Sequence, residues 1–357
     1  MTNRSLTRIL SLFLCAGLIL ALAACSMPPP ETPAPAVATA EAVATPEPTA
    51  EPTAEPTPEP TPEPTPEPTP EPTPEPTPEP TPEPIIGELL EDEDGDGIIP
   101  YRMNYKGATV YALFILDPSQ VFVGTALPEP NPWGGQGLTL DKLAEQYGAL
   151  AGVNAGGFKD EDGGGRGWPP QGITYSRGVN FEQEEFGPIA GLDHEDHFWS
   201  GFYTYEDCEG LGLRDAVCFG PALIQDGVKL DPETLESGIG ARTLVGQRED
   251  GVMVLVAIDG RQGYSIGVTF SDCIDLMADK FGCINASNMD GGNSTCMYLN
   301  GEAVNRSSNQ AGGTRNLPDA WLVSPLPDHY VKPEGVADSI VLPEKSAGRG
   351  ERICICL

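Results

Sequence analysis

The chain has 357 residues, with 53 acidic and 20 basic side chains, and carries a net charge of −33 at pH 7. This charge repels nucleic acid and anionic membrane surfaces, so nucleic-acid binding is disfavoured. Residues 26–100 contain 18 acidic side chains and no Lys or Arg, whereas the later part has the mixed composition of a folded domain.

The first 25 residues predict a targeting segment that ends in a lipidated cysteine. Arg4 and Arg8 precede an apolar run, residues 9–21, that is short for a membrane span. Leu22-Ala23-Ala24-Cys25 then resembles a bacterial lipobox, which implies that Cys25 becomes the lipid-modified first residue of the mature protein. The alternative is an ordinary signal peptide with a cysteine at this position by chance.

Residues 26–100 predict a Pro/Glu/Thr-rich extended linker that ends in an acidic run. Residues 45–84 repeat TPEP or TAEP, and proline at every second or fourth position favours polyproline II geometry. Forty such residues reach up to ~120 Å. A segment of this composition cannot form an apolar core, so we expect a disordered stalk that holds a domain away from the membrane.

The acidic run at residues 91–99 has the spacing of a partial calcium loop. Asp92, Asp94 and Asp96 occupy positions 1, 3 and 5 of an EF-hand pattern, with Gly97 at position 6. Position 12 would be Met103, which offers no carboxylate. The run is therefore interpreted as the acidic end of the linker, with a weak Ca²⁺ site as the alternative; no other cofactor is indicated.

Residues 101–325 predict one α+β domain around a mixed β-sheet with few helices. Apolar runs predict strands, and helical spacing predicts two helices, with Thr139 as a plausible N-cap of the first. The strands are expected at 110–116, 121–125, 150–153, 221–225, 242–246, 252–258, 284–288, 295–299 and 320–323, and the helices at 139–147 and 271–281. Residues 326–357 are rich in Pro, Gly and charge and predict a peripheral tail.

Three Gly-rich turns carry charged side chains next to apolar runs. They contain Asp290 within residues 285–295, Asp259 and Arg261 within residues 258–261, and Arg315 after Gly312-Gly313. Glycine lets backbone N–H groups approach a small ligand closely. The pattern predicts one pocket built from loops on a sheet scaffold.

Cysteine and histidine patterns give weaker indications. Seven cysteines follow Cys25, and Cys208 and Cys218 flank a polar loop, which favours a disulfide between them in an exported protein. Residues 193–197, Asp-His-Glu-Asp-His, could bind a metal, but they lie between apolar runs and are interpreted as a hairpin tip. No histidine or serine pattern supports a catalytic triad.

Several short motifs occur in an order that resembles a known family. They are Gly148–Phe158, Phe219–Leu223, Ala241–Gly246, Asp259–Arg261 with Gly263–Ser265, Asn288–Gly292, and Asn300-Gly301 with Asn305. Together they resemble bacterial phosphodiester glycosidase domains, similar to the catalytic domain of N-acetylglucosamine-1-phosphodiester α-N-acetylglucosaminidase. The resemblance extends over residues 105–324, and it implies hydrolysis of a sugar-1-phosphodiester.

This chemistry assigns roles to the polar residues of the motifs. Asp259 and Asp290 follow apolar strands and are the expected catalytic carboxylate pair. A guanidinium group matches phosphate in a bidentate manner, so arginines are expected on the phosphate. The expected substrate-binding residues are Asn154, Arg242, Arg261, Asn288, Gly291, Gly292, Asn305 and Arg315. Two structural alternatives stay open, since Arg242 could pair with a buried acid and Asp259 could be a turn residue that bonds its own backbone.

The leading hypothesis is a lipid-anchored, extracytoplasmic hydrolase that cleaves sugar-1-phosphodiester bonds in envelope or exogenous glycans. Its expected partners are the glycan substrate and, through the anchor, the bacterial cell membrane. A second hypothesis is a glycan-binding or exopolysaccharide-assembly lipoprotein without turnover. A pair of positioned carboxylates favours the enzyme, because a lectin needs groups that bind hydroxyls but not two acids.

Overall fold

The fold is taken from a computed structural model, which describes residues 87–130, 135–159, 165–182, 186–231, 238–308, 314–343 and 351–352. These residues belong to one compact unit, residues 79–357. The predicted signal segment, Cys25 and the repeats at 45–84 lie outside the described residues. No helix in the described ranges has the length and apolarity that crossing a bilayer requires.

Strands dominate the described part of the chain. They are β1 (Gly87–Glu91), β2 (Ile98–Tyr105), β3 (Ala108–Ile115), β4 (Val121–Thr125), β5 (Ala151–Asn154), β6 (Thr174–Ser176), β7 (Val179–Glu182), β8 (Phe186–Asp193), β9 (Phe198–Thr204), β10 (Leu213–Cys218), β11 (Ala222–Gln225), β12 (Val228–Lys229), β13 (Arg242–Arg248), β14 (Met253–Ile258), β15 (Cys283–Met289), β16 (Met297–Leu299), β17 (Glu302–Ala303), β18 (Asp319–Val323), β19 (Ser339–Pro343) and β20 (Glu351–Arg352). The helices are α1 (Leu140–Tyr147), α2 (Tyr205–Gly210) and α3 (Phe270–Asp275), and a π-helical turn, Leu276–Lys280, continues α3.

Both predicted helices are present. α1 begins after Thr139, whose side chain makes no capping hydrogen bond, and it ends at Gly148 with φ +64°. α3 is capped two residues before the expected start at residue 271, because Thr269 and Asp272 form a reciprocal capping box. The π-helical turn then stops before Gly282, as predicted, where φ is +72°.

The strands form several antiparallel sheets, so the prediction of a mixed sheet is wrong, although a mostly β domain with few helices is confirmed. All pairings among the described strands are antiparallel. The sheets have the orders β12-β11-β15-β13-β14-β3-β2-β20, β17-β16-β5-β18-β4, β7-β6-β10-β8-β9 and β1-β19. Turns and hairpin-type connections replace the helical crossovers that parallel strands require, which is why so few helices are needed.

The eight-stranded sheet is buried on both faces. Along β3, Val110, Ala112 and Phe114 pack into one core cluster, and Leu113 and Ile115 pack into another. Successive side chains of a strand point to opposite faces, so one strand supplies both cores. The first core lies against α3, and the second lies against the sheet that contains β5 and β18. A continuous apolar run such as residues 110–116 therefore marks a central strand.

The folded structure extends beyond the range 101–325 on both sides. β1 pairs with β19 from Gly87↔Pro343 to Glu91↔Ser339. Leu90, Ile340 and Leu342 of this pair are buried in the core beside α3. The acidic end of the linker and part of the predicted tail thus contribute core residues.

The Asp-His-Glu-Asp-His segment is the tip of the β8–β9 hairpin, as predicted. Asp193 organises this tip, because its carboxylate accepts hydrogen bonds from the backbone N–H groups of Glu195 and His197 and from Trp199 Nε1. Asp193 is therefore a turn residue that stabilises the hairpin tip.

The predicted disulfide between Cys208 and Cys218 is not formed in this structure. Cys208 is a buried residue of α2, and its burial raises the thiol pKa to about 11. The Sγ of Cys218 faces Gly187 on β8, where a Cβ atom would lie 2.7 Å away. Both residues belong to one small apolar cluster, and the nearby Cys218 contributes to the raised pKa of Cys208.

The carboxylates of the acidic run do converge. Oxygen atoms of Asp92, Asp94 and Asp96 lie within 4.8 Å of one another in the loop between β1 and β2. Asp92 also accepts hydrogen bonds from the N–H groups of Gly95 and Gly97. Met103, the residue at position 12, lies on β2 and adds no carboxylate. A weak Ca²⁺ site here stays a prediction.

One buried carboxylate ties two sheets together. Asp215 on β10 accepts hydrogen bonds from Val123 N on β4 at 2.9 Å and from Arg177 N at 2.8 Å. Its second oxygen accepts from the guanidinium of Arg214. The side chain of Asp215 is fully buried, so these donors compensate for its lost hydration.

We predict that Asp215→Ala lowers the free energy of unfolding by about 3–5 kcal/mol, because it leaves buried donors and a cation without their acceptor. The matched control is Asp250→Ala, which removes the partly exposed partner of Arg248 and should cost about 0.2–1 kcal/mol. Urea unfolding followed by tryptophan fluorescence gives both values. Similar losses in the two variants would show that Asp215 does not tie the sheets.

Candidate functional site

A cavity of about 630 Å³ opens where several strands end. Its walls come from the segment before β11, the start of β13, the turn after β14, the first residue of α3, the end of β15 and the segment before β18. The lining residues are Phe219, Gly220, Pro221, Gly238, Ile239, Gly240, Ala241, Arg242, Arg261, Phe270, Asn288, Asp290, Gly291, Gly292, Asn293 and Arg315.

The structure brings most of the predicted site residues together. Those in the cavity wall are Arg242, Arg261, Asn288, Asp290, Gly291, Gly292 and Arg315. Three predicted residues, Asn154, Asp259 and Asn305, are not in the wall. One charged residue from each predicted turn, Arg261, Asp290 and Arg315, lines the cavity. β14 and β15 end beside the start of β13, which brings Arg261 and Asp290 to one edge of the eight-stranded sheet.

Asp290 is held by its backbone against the end of β5. Its N–H donates to Ala155 O at 3.0 Å, and its carbonyl accepts from Asn154 Nδ2 at 2.6 Å. The side-chain oxygen of Asn154 accepts from Thr243 Oγ1 at 2.7 Å and from Cys296 N at 3.1 Å. Asn154 is fully buried. The described hydrogen bonds of its side chain lie within the fold and hold the backbone of Asp290, and its predicted contact with a sugar hydroxyl stays a prediction.

Asp290 contributes the single carboxyl group of the described cavity wall. Burial raises the pKa of this carboxyl group, while Ser294, the positive charge of Arg315 and the Gly291 N–H act in the opposite direction. A carboxyl group with a raised pKa is a stronger base once it is ionised. Asp290 is thus suited to accept a proton or to approach an electrophilic carbon.

The two glycines after Asp290 let the turn pack against β13. Gly292 has φ +61° and donates its N–H to Ala241 O at 3.0 Å. A Cβ atom on Gly291 would lie 2.9 Å from Ala241 O, and one on Gly292 would lie 3.2 Å from Arg261 Nη1. Larger residues would displace the turn or the guanidinium, so these glycines shape the site by their small size.

Three guanidinium groups in the cavity wall lack an acidic partner. Across the described ranges, Arg242, Arg261 and Arg315 form no salt bridge. Other basic side chains do form salt bridges with carboxylates: Lys106, Arg214, Lys229, Arg248 and Lys332. In a chain with a net charge of −33, three arginines without acidic partners in one cavity indicate a site for an anion.

Aromatic rings and a carbonyl group hold two of these arginines. The guanidinium of Arg242 lies 4.3 Å from the centre of the Phe270 ring and donates to Gly238 O at 2.6 Å. The guanidinium of Arg315 lies 4.5 Å from the centre of the Phe158 ring. Stacking fixes the guanidinium plane and leaves its edge for a ligand. Burial lowers the pKa of Arg242, and the neighbouring Arg261 adds to this effect.

Two polar atoms of the cavity wall are buried without a partner. Asn288 donates from Nδ2 to Gly220 O at 2.8 Å, whereas its Oδ1 has no hydrogen bond. Arg242 Nε likewise has none. Buried polar atoms are normally satisfied, so one acceptor and one donor are available to a ligand.

The structure places Asp259 outside the cavity wall, in a network of hydrogen bonds within the fold. Its Oδ1 accepts from Arg306 N at 3.1 Å and from Asn305 Nδ2 at 3.2 Å, and its Oδ2 accepts from Tyr264 OH at 2.8 Å. Asp259 is fully buried, and these bonds join the turn after β14 to the segment after β17. Asn305 also accepts from Met297 N at 2.7 Å. Asp259 and Asn305 thus make hydrogen bonds within the fold and lie outside the described cavity wall, and their predicted catalytic and substrate-binding roles stay predictions.

A different carboxyl group, Asp319, lies close to Asp290 and was missed in the sequence. Asp319 begins β18, is fully buried, and accepts a hydrogen bond from Gly156 N at 2.7 Å. Its negative neighbour Asp290 is one of the causes that raise its pKa, after burial. The sequence signal for Asp319 was its place directly before the apolar run Ala320–Val323. Asp319 is the first residue of that strand and is already buried in the core.

Comparisons with known proteins agree with this arrangement. The sequence model for phosphodiester glycosidases matches residues 147–324. A protein of Bacillus subtilis (strain 168), described as SPbeta prophage-derived uncharacterized protein YomE, is 26% identical over 224 residues, which are 58% of this chain and 32% of that protein. The chain thus spans about a third of that relative's length.

A solved structure shares the fold. The zebrafish N-acetylglucosamine-1-phosphodiester alpha-N-acetylglucosaminidase catalytic domain, auto-inhibited by its pro-peptide, superimposes with a TM-score of 0.55. The alignment covers 67% of this chain and 88% of the zebrafish domain at 17% sequence identity. At this identity the likeness concerns the fold.

The hydrogen bonds of Asp259 predict a stability effect. Asp259→Ala should lower the free energy of unfolding by about 1–3 kcal/mol, because it leaves buried donors without an acceptor. Asp290→Ala is the matched comparison and should cost less, since the bonds of Asp290 to Ala155 and Asn154 are made by its backbone, which the substitution keeps. Denaturant unfolding of both variants measures the two changes in the free energy of unfolding. An unchanged stability in Asp259→Ala would favour the predicted catalytic role of this residue instead.

Proposed function

Because the chain carries a phosphodiester glycosidase domain at residues 147–324, we propose that it hydrolyses glycosyl phosphodiesters at the anomeric carbon. The observation that supports this most directly is the composition of the cavity wall. Arg242, Arg261 and Arg315 line it together with one carboxyl group, Asp290, and none of the three arginines has a salt bridge among the described residues.

The arginines suit the phosphodiester part of the substrate. A phosphodiester carries one permanent negative charge, and a guanidinium donates two parallel hydrogen bonds to phosphate oxygens. Stacking of Arg242 on Phe270 and of Arg315 on Phe158 holds both groups in fixed planes before the ligand arrives. Charge that develops on the phosphate during bond cleavage is then stabilised without large reorganisation.

One carboxyl group is sufficient for the proposed reaction at the anomeric carbon. Glycosidases commonly need two carboxyl groups, because the departing sugar oxygen must receive a proton. Here the departing group is a phosphate monoester, whose second pKa is about 6, so it leaves as a stable anion. Asp290 then either attacks the anomeric carbon, which forms a glycosyl ester that water hydrolyses to the free sugar and Asp290, or removes a proton from the attacking water. The C–O bond breaks, and the bonding electrons go to the phosphate oxygen that the arginines hold.

Asn288 suits the sugar. Its Oδ1 is buried at the cavity wall and has no hydrogen bond, so a sugar hydroxyl can donate to it. Nδ2 of the same side chain is fixed by Gly220 O at 2.8 Å, which orients the acceptor. Asn288 thereby places one hydroxyl relative to Asp290.

The place of action follows from the N-terminal sequence. The lipobox-like Leu22–Cys25 and the Pro-rich repeats at 45–84 support a lipid anchor and an extended stalk on an extracytoplasmic face of the membrane. The substrates would then be sugar-1-phosphodiesters of the envelope or of exogenous glycans. Cells that express Cys25→Ala are separated into membrane and soluble fractions. The share of the protein in each fraction tests the anchor separately from the activity.

The bond that breaks can be identified with labelled water. A panel of α- and β-configured sugar 1-(methyl phosphate) diesters is hydrolysed in ¹⁸O water, and the products are analysed by mass spectrometry. We predict label in the sugar. The free sugar, incubated alone, controls for exchange. Asp290→Asn should slow the reaction by roughly 10²–10⁴-fold, which is the usual contribution of a positioned acid–base group.

Label in the methyl phosphate would contradict attack at carbon and the role of Asp290. Full activity in Asp290→Asn would also contradict that role. Tight binding of the diesters with no release of sugar from any of them would favour the non-catalytic glycan-binding alternative.

Arg261→Lys should weaken binding of a non-hydrolysable phosphonate analogue without lowering thermal stability. Arg261 is exposed at the cavity wall and forms no salt bridge among the described residues, so lysine keeps the charge and loses only the planar fork. Arg248→Lys is the matched control, because Arg248 pairs with Asp250 and bonds Phe281 O at 2.7 Å away from the cavity. It should lower the melting temperature and leave the analogue's Kd unchanged. The reverse pattern would make Arg261 a structural residue.

A further inference from the structure

Two aspartates, one through its backbone and one through its carboxyl group, are hydrogen-bonded to consecutive residues just after β5. Asp290 N donates to Ala155 O at 3.0 Å, and Gly156 N donates to Asp319 Oδ1 at 2.7 Å. Consecutive Cα atoms are about 3.8 Å apart, so the segment that fixes Asp290 also fixes Asp319. A Cβ atom on Gly156 would lie 3.1 Å and 3.2 Å from the two carboxyl oxygens of Asp319, so this glycine leaves room for the group.

Asp319 differs from the other buried carboxyl groups in how little compensates for its burial. Asp215 has two backbone donors and Arg214, and Asp259 has three donors. Asp117 accepts from Ser119 N and from Tyr330 OH. Asp319 has one hydrogen bond, and its Oδ2 has none, although the residue is fully buried.

The surroundings of Asp319 offer no cation within the described part of the chain. On the flanking strands it pairs with Thr125 of β4, and its neighbour Ala320 pairs with Asn154 of β5. The charged group that faces it is Asp290, from the turn after β15. An ionised carboxylate with one donor and a negative neighbour is strongly disfavoured in a dry interior. Burial, together with Asp290, raises the pKa of Asp319 to about 7.

We propose that Asp319 is a positioning residue of the hydrolase: a buried, protonated carboxylic acid behind Asp290 that allows Asp290 alone to carry the negative charge of the pair. This inference rests on the proposed function. With Asp319 neutral, the cavity holds one carboxylate and can admit an anionic phosphodiester. Ionisation of Asp319 would place a second negative charge beside Asp290 and oppose binding of that substrate.

Under this proposal, the ionisation of Asp319 causes the pH dependence of kcat/KM on the alkaline side. kcat/KM should fall on the alkaline side as Asp319 loses its proton, with an apparent pKa of about 7. Asp319→Asn keeps an oxygen that accepts from Gly156 N and cannot ionise. Its alkaline limb should therefore move upward by about one pH unit or more, while activity at pH 6 stays within about threefold of the wild type. Asp117→Asn, a buried change outside the cavity wall, is the matched control and should keep the wild-type profile.

A second measurement reads the protonation state of Asp319 without any substrate. Infrared difference spectra of the full chain between pH 5 and pH 9 contain bands from every carboxyl group that titrates in this range, including Asp96, whose pKa burial raises to about 6. The wild-type spectrum minus the Asp319→Asn spectrum should isolate one band of a protonated carboxylic acid that disappears near pH 7. This band should be absent in Asp319→Asn and present in Asp117→Asn. In Asp290→Asn, which removes the negative neighbour, the band should titrate at lower pH.

The outcomes separate this inference from the proposed function. An alkaline limb that is unchanged in Asp319→Asn, or an infrared band that persists in that variant, would overturn the inference. If Asp319→Asn does not fold, the shift of the band in Asp290→Asn decides, and a band that does not move would overturn it. If no diester is hydrolysed, the proposed function fails, while the infrared titration still shows whether Asp319 and Asp290 form a coupled pair.

Discussion

The side-chain amide of Asn154 makes the contacts on which the site depends. It joins the end of β5 to the carbonyl of Asp290, to Thr243 on β13 and to the backbone of Cys296 before β16. These partners belong to the two sheets that enclose the second core and to the turn between them. A buried amide that satisfies three segments at once has little freedom to move. Asn154 thereby connects the core to the backbone of Asp290, whose carboxyl group is the single one in the described cavity wall.

The cavity differs from the rest of this acidic protein in its local positive charge. Most basic side chains of the described domain are paired with carboxylates or lie on the surface, and the three cavity arginines are kept apart from acids by aromatic rings, glycines and backbone carbonyls. An acidic exterior discourages non-specific binding of polyanions, while the local cationic surface accepts a small anion. The same separation leaves Asp290 near Arg315 without a direct salt bridge, so its carboxyl group stays available for chemistry.

The pairing of one carboxyl group with several guanidinium groups also fits the bond that is proposed to break. An alkoxide needs a proton to leave, and a phosphate monoester needs only stabilisation of its charge. Arginines therefore take the place that a second acid has in common glycosidases. A second carboxyl group does exist at Asp319, but it lies behind the wall, where burial favours its neutral form.

The sequence alone determined nine of the strands, the helices α1 and α3, the apolar runs of the central strands and the Gly-rich turns that carry Asp290, Arg261 and Arg315, but it did not predict α2 or strands such as β6 and β7. The predicted features are local, because strand periodicity, helix caps and glycine geometry depend on neighbouring residues. Asp259 and Asp290 looked equivalent, since each follows an apolar strand and precedes glycine. Only the tertiary structure separates them: Tyr264, Asn305 and Arg306 surround the first carboxylate, and the cavity receives the second. It also decided that Asp319 lies beside Asp290, because antiparallel pairing of distant strands brings together residues whose separation along the chain carries no such signal.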